Sequence, residues 1–348
     1  MTAGSLLDRR PALGASELVA RFVPPQRFQH VRFSTYVPDP AHPSQAQARA
    51  ELEAFAVAVG EPMGEGRERR WRRRKSTAKA NDARPGRYLD GGYGVGKTHL
   101  LASLWFAAPG PNAYLSFHEL TAVIGFLGME EAVAAFQPYR LLCIDEFELD
   151  DVAHTLMAVT FLRSLVPGGT RVAATSNTLP DRLGEGRFAA DDFTREIAAI
   201  ASWFDVLRVD GPDYRAKTRV DAEPFAAGEL DAWVDARRRE GARITDDDFG
   251  AVLEHLRVVH PVQVGAMLDD LDGVVLRDLA PISSQGDALL FVNLVDELYD
   301  AQVQVAASGC AVEELFPATY RHGGYRKKYG RCESRLLALL GESRRPGW

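Results

Sequence analysis

One stretch, Gly91-Gly92-Tyr93-Gly94-Val95-Gly96-Lys97-Thr98, constrains the fold of this chain more than any other. It reads G-x-x-x-x-G-K-T. A run able to form a strand, Arg87-Tyr88-Leu89-Asp90, precedes it, and good helix material, His99 to Ala107, follows it. Strand, glycine loop and helix in that order form the context that a phosphate-binding loop requires. Glycines let the backbone curl until successive N–H groups point inward at a polyphosphate, and the helix N-terminus adds partial positive charge. The expected cradle is therefore Gly91, Gly92, Tyr93, Gly94, Val95 and Gly96 with Lys97, Thr98 and His99. Lys97 is expected to reach the β- and γ-phosphates and the Thr98 hydroxyl to hold Mg²⁺. The competing reading, a glycine turn with a chance lysine, fits neither this context nor the second motif.

That second motif is Leu141-Leu142-Cys143-Ile144-Asp145-Glu146, an apolar strand ending in two acids. Beside a phosphate loop this is the Walker B arrangement, with Asp145 binding Mg²⁺ through water and Glu146 orienting and polarising the attacking water. Phosphoryl transfer asks the protein for positioning and charge neutralisation rather than covalent help, so a Glu at this tip separates a hydrolase from a simple nucleotide holder. Asp151 reads as the cap of the next helix. A third apolar strand ends in Ala174-Thr175-Ser176-Asn177. Asn after a strand is ordinarily a turn residue; in order with the other two motifs, Asn177 is expected to sense the γ-phosphate.

Continuous apolar strands alternate with helices from Arg87 to Val209, which predicts a parallel five-stranded sheet covered on both faces, an α/β fold. The expected strands are 87–90, 112–117, 141–145, 171–176 and 205–209. The expected helices are 44–59, one following residue 117 through 127, 130–136, 152–165 and 194–203. The domain boundaries read as an N-terminal extended segment (1–43, with the aromatic run Phe28 to Tyr36), a P-loop domain (44–215) and a C-terminal lid (216–348). In the lid, Asp246 to Val258 and Val262 to Leu271 read as helices. Val274 to Leu276, Asp287 to Tyr299 and Val303 to Ala306 read as a strand–helix–strand crossover, and about Tyr325 to Leu340 as a last helix.

Composition is that of an ordinary globular protein, with 46% hydrophobic and 26% charged residues. Three cysteines lie far apart, with no metal-binding spacing and no disulfide framework, so a reducing cytoplasm is expected. No apolar run approaches a membrane span, and residues 1–10 lack a signal-peptide core. The net charge of −7 conceals a basic strip, residues 67–87, with ten basic residues against two acidic ones. It reads as a solvated loop, as a contact for anionic lipid or nucleic acid around Trp71, or as a protein-docking element.

The order of phosphate loop, Asp-Glu strand and Ser-Asn strand resembles the AAA+ ATPases. Asp145-Glu146-Phe147, Val172 to Asn177, Asp213-Tyr214-Arg215, Leu294 to Tyr299 and Ser334-Arg335-Leu336 together resemble the ZapE-like cell-division ATPase family and its mitochondrial, lactation-elevated-type relatives. The resemblance covers roughly residues 20–340. It implies Mg²⁺-dependent ATP hydrolysis, a nucleotide domain followed by a lid, a homo-oligomeric ring and a protein partner, the tubulin-like FtsZ in particular. For the mitochondrial relatives it implies inner-membrane protein quality control. A helicase loader or transposition helper shares the ATPase core but usually ends near Asp213-Tyr214-Arg215, where this chain continues.

The resemblance further implies an arginine that neutralises charge on a neighbour's γ-phosphoryl group. Where some members carry that arginine, this chain has Asp192, so the role passes to Arg187 or Arg195; their other reading is surface pairing with Asp191, Asp192 or Glu196. On the last helix, Lys328, Arg331 and Arg335 form one cationic stripe, and Arg331 or Arg335 is implied as the lid arginine that reports the nucleotide's state. Three further departures are Asp90, where an aromatic is common, so basic an insert before the phosphate loop, and the poorly matched 246–279 stretch. For the base, Phe28, Phe33, Tyr36 and Gln45 stand as contacts or as packing residues.

Overall fold

The computed structural model describes residues 4–60, 84–147, 152–177, 194–214, 222–322 and 325–345. The chain divides into two compact units, Gly14–Pro24 with Phe28–Ala216, and Met1–Leu13 and Pro25–Arg27 with Lys217–Trp348. Among the described residues no helix is long and apolar enough to cross a membrane.

The first unit is built on five parallel strands, β1 (Gly86–Asp90), β2 (Asn112–Ser116), β3 (Leu141–Asp145), β4 (Arg171–Ser176) and β5 (Phe204–Arg208), in the order β2-β3-β4-β1-β5. The parallel α/β sheet expected from the apolar runs is what forms, because strands covered on both faces need apolar residues at successive positions. Every residue of β1 and β4 is buried. Leu89 points to one face, into a cluster with Leu52 and Phe55 of helix Pro43–Val59 and Leu100 and Leu104 of helix Lys97–Ala107. Tyr88 points to the other, edge-on to Phe147 and Phe204. Because β1 pairs with both β4 and β5, its C-terminal loop lies between the ends of those two strands.

Two details differ from expectation. Phe28 to Tyr36 is not extended but folds into 3₁₀ turns, Gln26–Phe28 and Phe33–Thr35. The second turn is closed by Thr35, whose Oγ1 accepts from Arg32 N at 2.9 Å. The following helix starts at Pro43, a residue suited to a first helical position because it lacks an N–H. Ser44, read from the sequence as the helix cap, lies inside the helix, and its hydroxyl accepts from Asp210 N at 3.0 Å.

The second unit holds three parallel strands in the order β6 (Ile244–Asp248), β7 (Gly273–Leu279) and β8 (Gln304–Gly309). The strand–helix–strand crossover is present as β7, helix Gln285–Asp300 and β8. The expected helix from Asp246 is corrected: Ile244-Thr245-Asp246-Asp247-Asp248 is a strand, and the helix runs only from Phe249 to Leu256. Three consecutive acids oppose a strand reading unless neighbours supply partners, and here they do. Asp246 accepts two bonds from Arg277 (2.6 and 3.0 Å) and one from Arg238 (3.1 Å). Asp247 accepts from Leu6 N at 2.9 Å and from the Ser5 hydroxyl. Asp248 caps the helix through Ala251 N at 2.9 Å. The expected helix from Val262 to Leu271 shortens to a 3₁₀ turn, Pro261–Gln263, and one helical turn, Val264–Met267. Asp246→Ala is expected to destabilise this unit by about 1–3 kcal/mol, since hydrogen bonds between charged groups are lost at a largely buried carboxylate. A chemical-denaturation midpoint checks this, against Asp235→Ala, whose carboxylate is exposed and 3.9 Å from Arg238.

Candidate active site

The loop between β1 and helix Lys97–Ala107 takes a shape that only glycine permits at two points. Gly94 and Gly96 have φ of 69° and 90°, in the left-handed region. A Cβ on Gly94 would fall 1.6 Å from Asp213 Oδ1, and one on Gly96 would fall 2.7 Å from the Tyr36 ring. The glycines are therefore needed for both conformation and close approach, and the loop is a tight concave cradle opening onto a helix N-terminus.

Lys97 begins the helix and is 9% exposed. Its ammonium donates to Gly91 O at 2.7 Å, Gly92 O at 2.6 Å and Asn177 Oδ1 at 2.9 Å. The third bond joins residues eighty positions apart, and it follows from β4 lying beside β1. Asp145, at the end of β3, accepts from Thr98 Oγ1 at 3.4 Å, Tyr114 Oη at 2.9 Å, Glu146 N at 3.1 Å and the Thr175 hydroxyl. Side chains of three neighbouring strands and of the first turn of the helix thus meet at one carboxylate.

Glu146 follows at φ 52° and is exposed. A non-glycine residue in the left-handed region costs about 1–3 kcal/mol and persists only where its surroundings enforce it. Here the Glu146 N–H is held by Thr175 Oγ1 at 3.0 Å and the next N–H, of Phe147, by Thr175 O at 2.7 Å. The turn lifts the Glu146 side chain out of the strand while Phe147 is fully buried behind it.

On the other side of the loop, Tyr36 donates from its hydroxyl to Val95 O at 3.2 Å. Burial, reinforced by nearby Tyr214, pushes its pKa up to about 12, so it remains a neutral donor. His99 stands edge-on to Tyr36 and meets Thr35 Oγ1 at 3.0 Å and Arg32 O at 3.3 Å. Burial lowers the His99 pKa, which favours the neutral ring. Asp90, buried where β1 enters the loop, has its carboxyl pushed up by burial, with Arg208 and Lys97 opposing.

The structure therefore brings Gly91, Gly92, Tyr93, Gly94, Val95, Gly96, Lys97, Thr98, His99, Asp145, Glu146 and Asn177 to one place. Arg187 lies outside the described residues, as does the Arg195 side chain, although Arg195 falls on helix Thr194–Ala201. Residues 61–83, most of the basic strip, and Asp151 also lie outside them. In the second unit, Arg331 and Arg335 both bind Asp296, at 2.7 and 2.8 Å, and Arg335 also covers the Tyr299 ring at 4.9 Å. Phe33 and Tyr36 are packed in the core, with Phe28 against it. Gln45, 2% exposed, accepts from Asp39 N and donates to Asp210 O, both at 2.8 Å.

Sequence reasoning missed Tyr114 and the role of Thr175. Tyr114 reads as an ordinary core aromatic on an apolar strand. Thr175 stands two residues before Asn177 and reads as part of the strand; its hydroxyl faces Asp145 only because β3 and β4 are neighbours.

A sequence model of the AFG1-like ATPase family matches residues 15–239 and 236–344. Cell division protein ZapE of Escherichia coli (strain K12) is 27% identical over 296 residues, covering 74% of this chain and 78% of that protein. ZapE of Escherichia coli O157:H7 gives the same figures. Among solved structures, the DnaC helicase loader superposes with a TM-score of 0.35 and 14% identity over 53% of this chain and 99% of that one. AMPPCP-bound DnaA from Aquifex aeolicus superposes with a TM-score of 0.39 and 13% identity over 60% of this chain and 55% of that one.

Proposed function

The chain belongs to the AFG1-like ATPase family and is an ATPase, and we propose that it hydrolyses ATP at the site around Lys97 with Mg²⁺, to act on a protein partner in cell division. The observation that carries the site assignment is the convergence of Lys97 with Asn177 and of Thr98 with Asp145 at the mouth of one glycine cradle. The donor set suits Mg²⁺: the Thr98 hydroxyl and the Asp145 carboxylate are hard oxygen ligands, side by side, of the kind that ion binds together with water and phosphate. Thr98 and Asp145 would hold it, Asp145 through water, and it would supply neutralisation of the β- and γ-phosphate oxygens.

The remaining work falls to the chain itself. Loop N–H groups and the Lys97 ammonium bind the β- and γ-phosphates, replacing the loop carbonyls that now accept from Lys97. Glu146, on its enforced turn, orients water for in-line attack on the γ-phosphorus. A P–O bond forms, the bond to the bridging oxygen breaks, and the water's proton passes to the Glu146 carboxylate. Asn177, at the end of the strand between the loop and Glu146 and hydrogen-bonded to Lys97, turns its amide to the γ-phosphate beside that ammonium, so that it registers whether the phosphate is attached. Arg187 or Arg195 from a neighbouring subunit supplies the last positive charge in a homo-oligomeric ring, and Arg331 or Arg335 is the lid cation sensitive to nucleotide.

The cell-division assignment draws on the ZapE relatives, which are cell division proteins, and names the tubulin-like division protein FtsZ as the partner. A pull-down with Glu146→Gln in Mg-ATP tests it. Retention of FtsZ by the ATP-bound variant and its release in ADP are expected; retention of a replicative helicase in its place would overturn the assignment.

A further inference from the structure

The topology of the sheet gives the two sides of the loop different neighbours. Lys97, Asn177, Thr98 and Asp145 mark the γ-phosphate end, and they face β3 and β4. Because the strand order continues β4-β1-β5, the opposite lip of the loop is on the β5 side, and a nucleotide whose γ-phosphate meets Lys97 would send its sugar and base toward that lip.

That lip is a frame of two segments, 36–45 and 209–214. Val209 N donates to Asp90 O at 2.8 Å and Tyr214 N to Gly94 O at 3.2 Å. Gln45 ties the segments together through Asp39 N and Asp210 O. On this frame Tyr214 is 52% exposed, yet its side chain is held in place. Its hydroxyl donates to the Asp39 carboxylate, which also accepts from Ala41 N at 2.8 Å. The ring sits over Gly211, where an added Cβ would lie 3.3 Å from Tyr214 Cε2. An aromatic plate that is fixed and half open offers a π-face to a flat heterocycle with its ordering cost largely met in advance. A buried ring such as Phe33 offers none, and Gln45 has both ends of its amide engaged.

We propose that Tyr214 is the residue on which the base of the bound nucleotide stacks, with Asp39 as the positioning residue that fixes the ring. This rests on the nucleotide reading above. Stacking on a ring tolerates any base, so the contribution depends on the base being present rather than on its identity.

Tripolyphosphate carries the phosphates without the base, so titration calorimetry of the full chain with Mg²⁺ and either ATP or tripolyphosphate separates the two halves of the site. Tyr214→Ala is expected to weaken ATP about tenfold, the scale of one lost base–aromatic stack, while leaving tripolyphosphate within about twofold. Tyr214→Trp restores ATP binding, and Asp39→Ala gives a smaller loss of the same base-dependent kind. Equal losses for both ligands would show that Tyr214 merely shapes the loop and would overturn the proposal, as would undiminished ATP affinity in Tyr214→Ala. A wild-type chain that bound neither ligand would overturn the nucleotide reading and the stacking with it.

Discussion

Glu146→Gln is expected to lower ATP turnover by at least about 100-fold, the usual contribution of a positioned general base, while leaving ATP affinity within about twofold. The substitution keeps side-chain length and hydrogen-bonding shape and removes only the carboxylate that accepts the water's proton. Affinity is spared because binding uses the loop N–H groups, Lys97 and Thr98, which the substitution leaves in place. The backbone gives the expectation its force. Glu146 sits at φ 52°, a conformation asparagine or glycine would take at lower cost. Thr175, through its hydroxyl and its carbonyl, pins the two N–H groups on either side of that turn. A strained residue, held by two bonds to Thr175 and aimed away from the core, is expected where its side chain has a task. Steady-state phosphate release with calorimetric ATP binding measures both quantities, and turnover at the wild-type rate in Glu146→Gln would sink the mechanism.

Much of this site was legible because its parts lie on strands that a parallel sheet forces to be apolar. β3 and β4 announce themselves by apolar runs, Leu141 to Ile144 and Val172 to Ala174, and β1 by the glycine loop that follows it; each leads into residues that carry chemistry: Asp145-Glu146, Asn177 and the loop itself. What could not be read is what depends on strand order. Tyr114 and Thr175 both donate to Asp145 across about thirty residues of chain, and Gln45 reaches Asp210 across 165. No local pattern records those distances. β6 failed for a different reason: Asp246 to Asp248 satisfy their charges and acceptors with Arg277, Arg238, Leu6, Ser5 and Ala251, and only the folded unit brings most of those together. The cationic stripe of the last helix was visible as a pattern, but its Asp296 partner lies on another helix.

Lys97→Ala is expected to weaken ATP binding by about 100-fold or more, since it removes charge-assisted bonds worth about 1.5–3 kcal/mol each to two phosphates. Arginine should not rescue it: the ammonium is a compact donor set among three oxygens within 2.9 Å, and a planar guanidinium cannot occupy that volume. Stability of the ligand-free chain is the discriminating control. The lost bonds and the relief from burying an ammonium oppose one another, so the melting temperature should move little while the gain in melting temperature on adding Mg-ATP disappears. Asn177→Ala separates the two duties of this cluster. It removes one acceptor from Lys97 but leaves the ammonium and the loop, so ATP binding should stay within a few-fold while turnover falls. Were Lys97→Ala to keep its ATP-induced stabilisation, the ammonium would be a loop-bracing group only, and the γ-phosphate would have to be held by something other than the Lys97–Asn177 pair.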